Sequence, residues 1–200
     1  LDIGEAGTAL RSALVSGQTI ITLPLKKVPA EVTLDTINNL GINTLLAQGT
    51  SDFSGSSDAR IHNIRVASTK YNGLLLKPGV EFSFNTILGE VDGTTGYLPE
   101  KVIKNKKLIY EYGGGICQVS TTLFRAAVLS GFPILERKPH AFPVKYYNPQ
   151  GFDATIYPDI TDFKFTNNSP SHILLQTRIE QTKLVFEIYG TDDGRTVAIQ

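Results

Sequence analysis

The sequence has one cysteine, no long apolar run and no surplus of charge of either sign. A single cysteine excludes an internal disulfide and any cysteine-rich zinc site, so Cys117 is buried, free, or paired with another chain. No apolar stretch approaches the ~18 residues expected of a membrane-spanning helix. Lysine plus arginine equals aspartate plus glutamate at 19 each, which gives no basis for attraction to nucleic acid or to an anionic membrane surface. There are no Walker, Rossmann or zinc-protease spacings, and no carboxylate pair stands out for glycoside hydrolysis. No metal or organic cofactor is implied. The chain shows no signal peptide and opens within a helical pattern at Leu1, so its start reads as a fragment boundary.

With 200 residues, 41% hydrophobic and 19% charged, the chain can bury a sizeable core without staples. Ala6, Leu10, Ala13 and Leu14 follow helical spacing up to a stop at Gly17, and residues 18–25 alternate in strand fashion until Pro24 and Pro29. Residues 48–57 have the Ser/Gly/Asp composition of a loop, which sets the expected division into residues 1–48 and 49–200. Ser57 or Asp58 caps a helix with Ile61, Ile64, Ser68, Tyr71 and Leu75 on one face, ended by Gly73. A short strand is expected at 108–112, then a helix from about Cys117 to Ser130 with Gly131 past its end. From His140 onward strands are expected at 142–147, 154–157, 163–166, 173–179 and 184–189. The expected class is α+β: two helices on a mainly antiparallel sheet, with a small N-terminal helix–strand extension.

The chemistry concentrates at Gly113-Gly114-Gly115-Ile116-Cys117-Gln118, where a loop meets a helix. The positive end of the helix dipole favours a thiolate there, and glycine N–H groups could donate to an oxyanion. A cysteine heading an apolar helix is more often plain core. A nucleophile needs a base and an orienter. Of the three histidines, His62 lies on the first long helix and His172 in a turn. His140 stands at a loop–strand junction, either as a base or as an ordinary edge histidine. Asp153 can orient that imidazole or simply cap its turn. Lys101, Lys104, Lys106 and Lys107 read first as a solvated strand edge and second as a grip on anionic carboxylates.

The string Tyr112-Gly113-Gly114-Gly115-Ile116-Cys117-Gln118-Val119-Ser120-Thr121-Thr122-Leu123 resembles the signature of the VanW family, named for an accessory protein of vancomycin-resistance clusters. Supporting strings occur in the family's order: Phe82-Ser83-Phe84-Asn85, Gly96-Tyr97, Glu136-Arg137, Pro143-Val144, Asp153-Ala154-Thr155 and Ile188-Tyr189-Gly190. The resemblance covers roughly residues 55–192. Residues 1–48 resemble the tail of the peptidoglycan-binding domain that often precedes it. The resemblance implies an exported, wall-facing protein, anchored through an N-terminal membrane segment and acting on peptidoglycan stem peptides. The implied reaction is an L,D-transpeptidase-like acyl transfer with Cys117 as nucleophile and His140 as base; Asp153 is added as orienter. Gly113, Gly114, Gly115, Gln118, Ser120 and Thr121 are the expected substrate contacts. The chain departs from many members at Lys138 and Ala141, where they carry His and Ser, and at Glu100-Lys101, where they carry Ala-Pro. A stem-peptide peptidase or amidase, and a non-catalytic wall-binding module, are the alternatives.

Overall fold

A computed structural model describes the chain except residues 31, 34–35, 105–106, 142–143, 145–146 and 200. Two compact units form, Leu1–Ile37 and Asn38–Gln200. In the first, helix α1 (Ile3–Ser16) starts where Asp2 accepts a hydrogen bond from the Glu5 N–H. It ends at Gly17, whose φ of 68° lets the Gly17 and Gln18 N–H groups turn back to Leu14 and Ala13. The strand expected at 18–25 is absent. Alternation specifies a face but supplies no ladder partner, and Ile20 and Leu25 remain exposed.

The second unit contains the remaining named elements: β1 (Thr44–Asp52), α2 (Asp58–Thr69), β2 (Leu74–Leu76), β3 (Glu81–Ser83), α3 (Phe84–Leu88), β4 (Pro99–Lys104), β5 (Lys107–Tyr112), α4 (Ile116–Leu129), β6 (Ile134–Glu136), β7 (Lys164–Thr166), β8 (Ile173–Glu180) and β9 (Lys183–Gly190). They build antiparallel sheets in the orders β1-β9-β8-β2 and β3-β7-β6, plus the β4–β5 hairpin. The class is therefore α+β. The sheet does not follow the helices in sequence, however, since its edge strand β1 precedes α2.

That strand corrects the loop expected at 48–57. Its first five residues lie in β1, pairing with β9 from Gln48↔Glu187 to Asp52↔Lys183. Residues 38–48, expected with the N-terminal piece, belong to the second unit for the same reason. The small polar residues there serve a close strand–helix approach. A Cβ on Gly49 would sit 2.1 Å from the Thr122 carbonyl oxygen and 2.6 Å from the Ala126 nitrogen. Ser51, also buried, bonds Thr122.

Ser57 caps α2 by accepting the Arg60 N–H at 3.2 Å, but the helix ends at Thr69, so Tyr71 and Leu75 lie beyond it. At the far end of α4 the Gly131 and Phe132 N–H groups bond Val128 and Ala127, closing the helix through a left-handed glycine (φ 72°). Aromatic rings fill the core, where Phe124 of α4 meets Phe163 edge-on with centroids 5.7 Å apart. Tyr71 stacks on Phe84 and Phe82 on Phe165, each pair with centroids 4.6 Å apart, and the buried Tyr71 hydroxyl donates to the Phe84 carbonyl. The strand expected at 154–157 reduces to two isolated bridges, Lys138↔Thr155 and Tyr157↔Thr161. The strand expected at 142–147, with the Pro143-Val144 string, falls largely outside the described residues.

Candidate functional site

The glycine turn links β5 to α4. Gly113 (φ 84°) and Gly115 (φ 114°) adopt left-handed backbone that side chains disfavour. An added Cβ on Gly113 would meet Val91 at 2.5 Å, and one on Gly114 would meet Glu100 at 2.8 Å. The glycines thus let the turn pack against its own neighbours. Asn63, fully buried on α2, pins it: its Nδ2 donates to the Leu98 and Gly114 carbonyls at 2.9 and 3.1 Å, and its Oδ1 accepts the Leu98 N–H at 2.8 Å.

Cys117 is the second residue of α4 and is half-buried. Its Sγ lies 3.6 Å from the Thr155 hydroxyl and 3.5 Å from the Ile156 carbonyl. His140 lines the same cleft as the sulfur and acts on it electrostatically. Its Nδ1 donates to the Asp153 carboxylate, and the His140 N–H donates to the same oxygen at 2.9 Å. The ring stacks on Tyr147 with centroids 4.6 Å apart. Asp153 is buried behind the histidine. Its backbone is held by Arg137, whose Nε donates to the Asp153 carbonyl at 2.7 Å while the guanidinium covers the Phe124 ring. Arg125 ties the same loop to α4 and β1 through the carbonyls of Thr50, Tyr147, Asn148 and Phe152.

Electrostatics favours an ion pair. Burial pushes the Cys117 thiol up, but His140, with help from the Thr155 hydroxyl, holds it below the ordinary thiol value. Burial also pushes His140 down, and it is outweighed by the Cys117 sulfur and the Asp153 carboxylate, which hold the imidazole above its ordinary value. The first-turn position on α4 adds the helix dipole to the stabilisation of a thiolate.

This group opens on a cleft of about 660 Å³. The glycine turn and Cys117 line one side. The β4–β5 hairpin contributes Lys101, Val102, Tyr110 and Tyr112, and His140, Tyr147 and residues 155–159 complete the lining. The Phe82-Ser83-Phe84-Asn85 string positions part of it. Asp162 accepts the Ser83 hydroxyl at 2.6 Å and the Asn85 N–H at 2.9 Å, and Asn85 Nδ2 donates to the Thr161 carbonyl at 2.9 Å, fixing the 157–161 turn.

Of the expected substrate contacts, Gly113, Gly114 and Gly115 line the cleft, whereas Gln118, Ser120 and Thr121 do not. Those three are fully buried on the other faces of α4. Gln118 donates to Ser51 at 3.0 Å, and the Ser120 and Thr121 hydroxyls donate to the Ala154 carbonyl at 2.6 and 3.2 Å. A substrate cannot reach them without displacing the segment they hold. His62 is exposed with its ring against the Gly96 carbonyl, and His172 is half-buried; neither lines the cleft. Lys101 lies on the cleft, 6.0 Å from the Tyr110 ring centroid, while the side chains of Lys104, Lys106 and Lys107 lie outside the described residues. Among the described residues no cluster of three or more His, Cys, Asp or Glu could hold a metal, and no helix is long and apolar enough to cross a membrane.

Thr155, Asn63 and Arg137 were not singled out as site residues. Thr155 and Arg137 fall inside the matched strings, but a string does not say which member faces the sulfur. Asn63 carries one local signal, a polar residue between Ile61 and Ile64 that the helix turns inward.

Comparison with known proteins follows the same residues. The family described as VanW like protein matches residues 59–189. Protein YoaR of Bacillus subtilis (strain 168) is 33% identical over 147 residues, 74% of this chain and 48% of the relative. The vancomycin B-type resistance protein VanW of Enterococcus faecalis (strain ATCC 700802 / V583) is 30% identical over 135 residues, 66% of this chain and 49% of the relative. The chain spans about half the length of these curated relatives. No solved structure matches it.

Proposed function

This chain belongs to the VanW family, and from that premise we propose that its cleft is a cysteine acyltransferase site for peptidoglycan stem peptides, of L,D-transpeptidase type. The observation that carries the reading is the cleft-facing Cys117 sulfur beside His140, whose imidazole is oriented by the buried Asp153. The wall as the place of action rests on the vancomycin-resistance relative, and an exported, wall-facing location goes with it.

In the first half-reaction the Cys117 thiolate attacks the carbonyl carbon preceding the terminal D-alanine of a tetrapeptide stem. The carbonyl oxygen becomes an oxyanion beside the N–H groups of Gly114, Gly115 and Cys117. Collapse breaks the amide C–N bond, and His140 gives its proton to the departing D-alanine amine, leaving a thioester and a neutral imidazole. In the second half-reaction a side-chain amine of a neighbouring stem attacks the thioester. His140 takes the amine proton and thiolate departs, which restores the starting ion pair. Asp153 keeps Nδ1 occupied, so that Nε2 faces the reaction throughout. Lys101, a cation on the cleft, is assigned to a stem carboxylate.

Product analysis after incubation with a disaccharide–tetrapeptide tests the reading. Cross-linked dimers absent with Cys117→Ala support it. Shortened monomers with released D-alanine make the site a hydrolase, and binding without product makes it a wall-binding module.

A further inference from the structure

The Cys117 sulfur touches two oxygens from the segment that carries Asp153, and they are not equivalent. A protonated thiol can donate to either the Thr155 hydroxyl at 3.6 Å or the Ile156 carbonyl at 3.5 Å. A thiolate has no proton and only accepts. The Ile156 carbonyl then has nothing to offer and faces the anion with its negative end, whereas the Thr155 hydroxyl can turn its proton to the sulfur.

The placement of Thr155 is over-determined. Its N–H donates to the Lys138 carbonyl at 2.8 Å, in the bridge that also brings the His140 segment alongside. The preceding residue is clamped to α4: the Ala154 carbonyl accepts from Ser120 at 2.6 Å and from Thr121 at 3.2 Å, and the Ala154 N–H donates to Thr121 at 3.1 Å. Ser120 and Thr121 therefore hold the 154–155 backbone in register with the helix turn bearing Cys117. Thr155 itself lines the cleft beside the sulfur.

We propose that Thr155 is a further catalytic residue of this site: its hydroxyl donates to the Cys117 thiolate and holds the sulfur, as an anion, at the cleft. This leaves the His140 proton available for the leaving amine, and it gives the departing thiolate a donor when the thioester is resolved. The catalytic role rests on the proposed acyl transfer, whereas the hydroxyl–thiolate contact needs only an ionisable sulfur and is read apart from the identity of the substrate.

The test is the pH profile of Cys117 alkylation by iodoacetamide, in which the thiolate displaces iodide to form a thioether. Thr155→Val keeps the shape and removes the hydroxyl, and its ionisation midpoint rises by about one pH unit. Thr155→Ser restores the hydroxyl and keeps the wild-type midpoint. The same Val-minus-wild-type shift persists in a His140→Gln background, because the hydroxyl acts on the sulfur directly. Besides His140, the charged groups lining the cleft are Arg60, Lys101, Glu111 and Asp159, all unchanged between the variants. An unmoved midpoint in Thr155→Val overturns the proposal. So does a Ser variant shifted as far as Val, or a shift that vanishes without His140. Should Thr155→Val not fold, Thr155→Ala against Thr155→Ser carries the same comparison, with Ala raised and Ser not.

Discussion

Helix α4 presents two polar faces that look alike in sequence and do opposite things. Cys117 faces the cleft, half-buried, with His140 beside it. Gln118, Ser120, Thr121 and Thr122, its immediate neighbours, face inward and are fully buried. There Ser51 and Thr122 lie 2.6 Å apart, Thr122 bonds the Gln118 carbonyl at 2.6 Å, and Ser120 and Thr121 hold Ala154. The contrast teaches that a polar residue in a helix is a reactive or a structural one according to what covers its face. On one side the space is open; on the other, Gly49 brings β1 against the helix backbone and leaves none.

The sharpest way to separate the faces is Cys117→Ala. It should remove acyl transfer by about 10⁴-fold or more while leaving the urea midpoint nearly unchanged. A variant that lost its fold would break the comparison at once. Next is Asp153→Asn, which keeps the shape but lets His140 turn to the wrong tautomer. A loss of about 10²–10⁴ in turnover with little change in binding is expected. On the structural face, Gly49→Ala forces a Cβ against the Thr122 carbonyl and should cost about 3 kcal/mol in denaturant unfolding. Thr122→Val removes the hydroxyl that serves both Ser51 and Gln118 and should cost about 1–2 kcal/mol, with the alkylation profile of Cys117 unchanged.

The pH dependence follows from the two shifts. The thiol is held below its ordinary value and the imidazole above its own, so each shift favours the charged form and the pairing widens the pH range in which thiolate and imidazolium coexist. First-step acylation should rise on the acid side as Cys117 ionises and fall on the alkaline side as His140 loses its proton. His140→Gln should move the acid limb upward and remove the alkaline one, read from the rate of D-alanine release.

The parts of the fold legible in sequence are those fixed by local chemistry. Gly17 and Gly131 mark helix ends because only a left-handed residue satisfies the last carbonyls there, and Ser57 marks a start because its hydroxyl caps a turn. The β8–β9 hairpin is readable because its partners are neighbours. Strand β1 is not, since its ladder partner β9 lies more than a hundred residues away and its composition is that of a loop. At the site, Cys117, His140 and Asp153 carry recognisable chemistry, and the structure brings them together. The roles of Gln118, Ser120 and Thr121 could not be read, because the side of α4 that stays open depends on strands and turns distant in the chain. Thr155 was missed for the complementary reason: an ordinary residue beside a sulfur is visible only once the two segments meet.

The most direct test of the central claim is intact-protein mass spectrometry of the chain quenched during incubation with a disaccharide–tetrapeptide, in parallel with Cys117→Ala. The account predicts a transient mass increase equal to the donor minus D-alanine, mapped to Cys117 and absent from the variant. No adduct at any time, with the donor demonstrably bound, or an adduct that survives in Cys117→Ala, would contradict it.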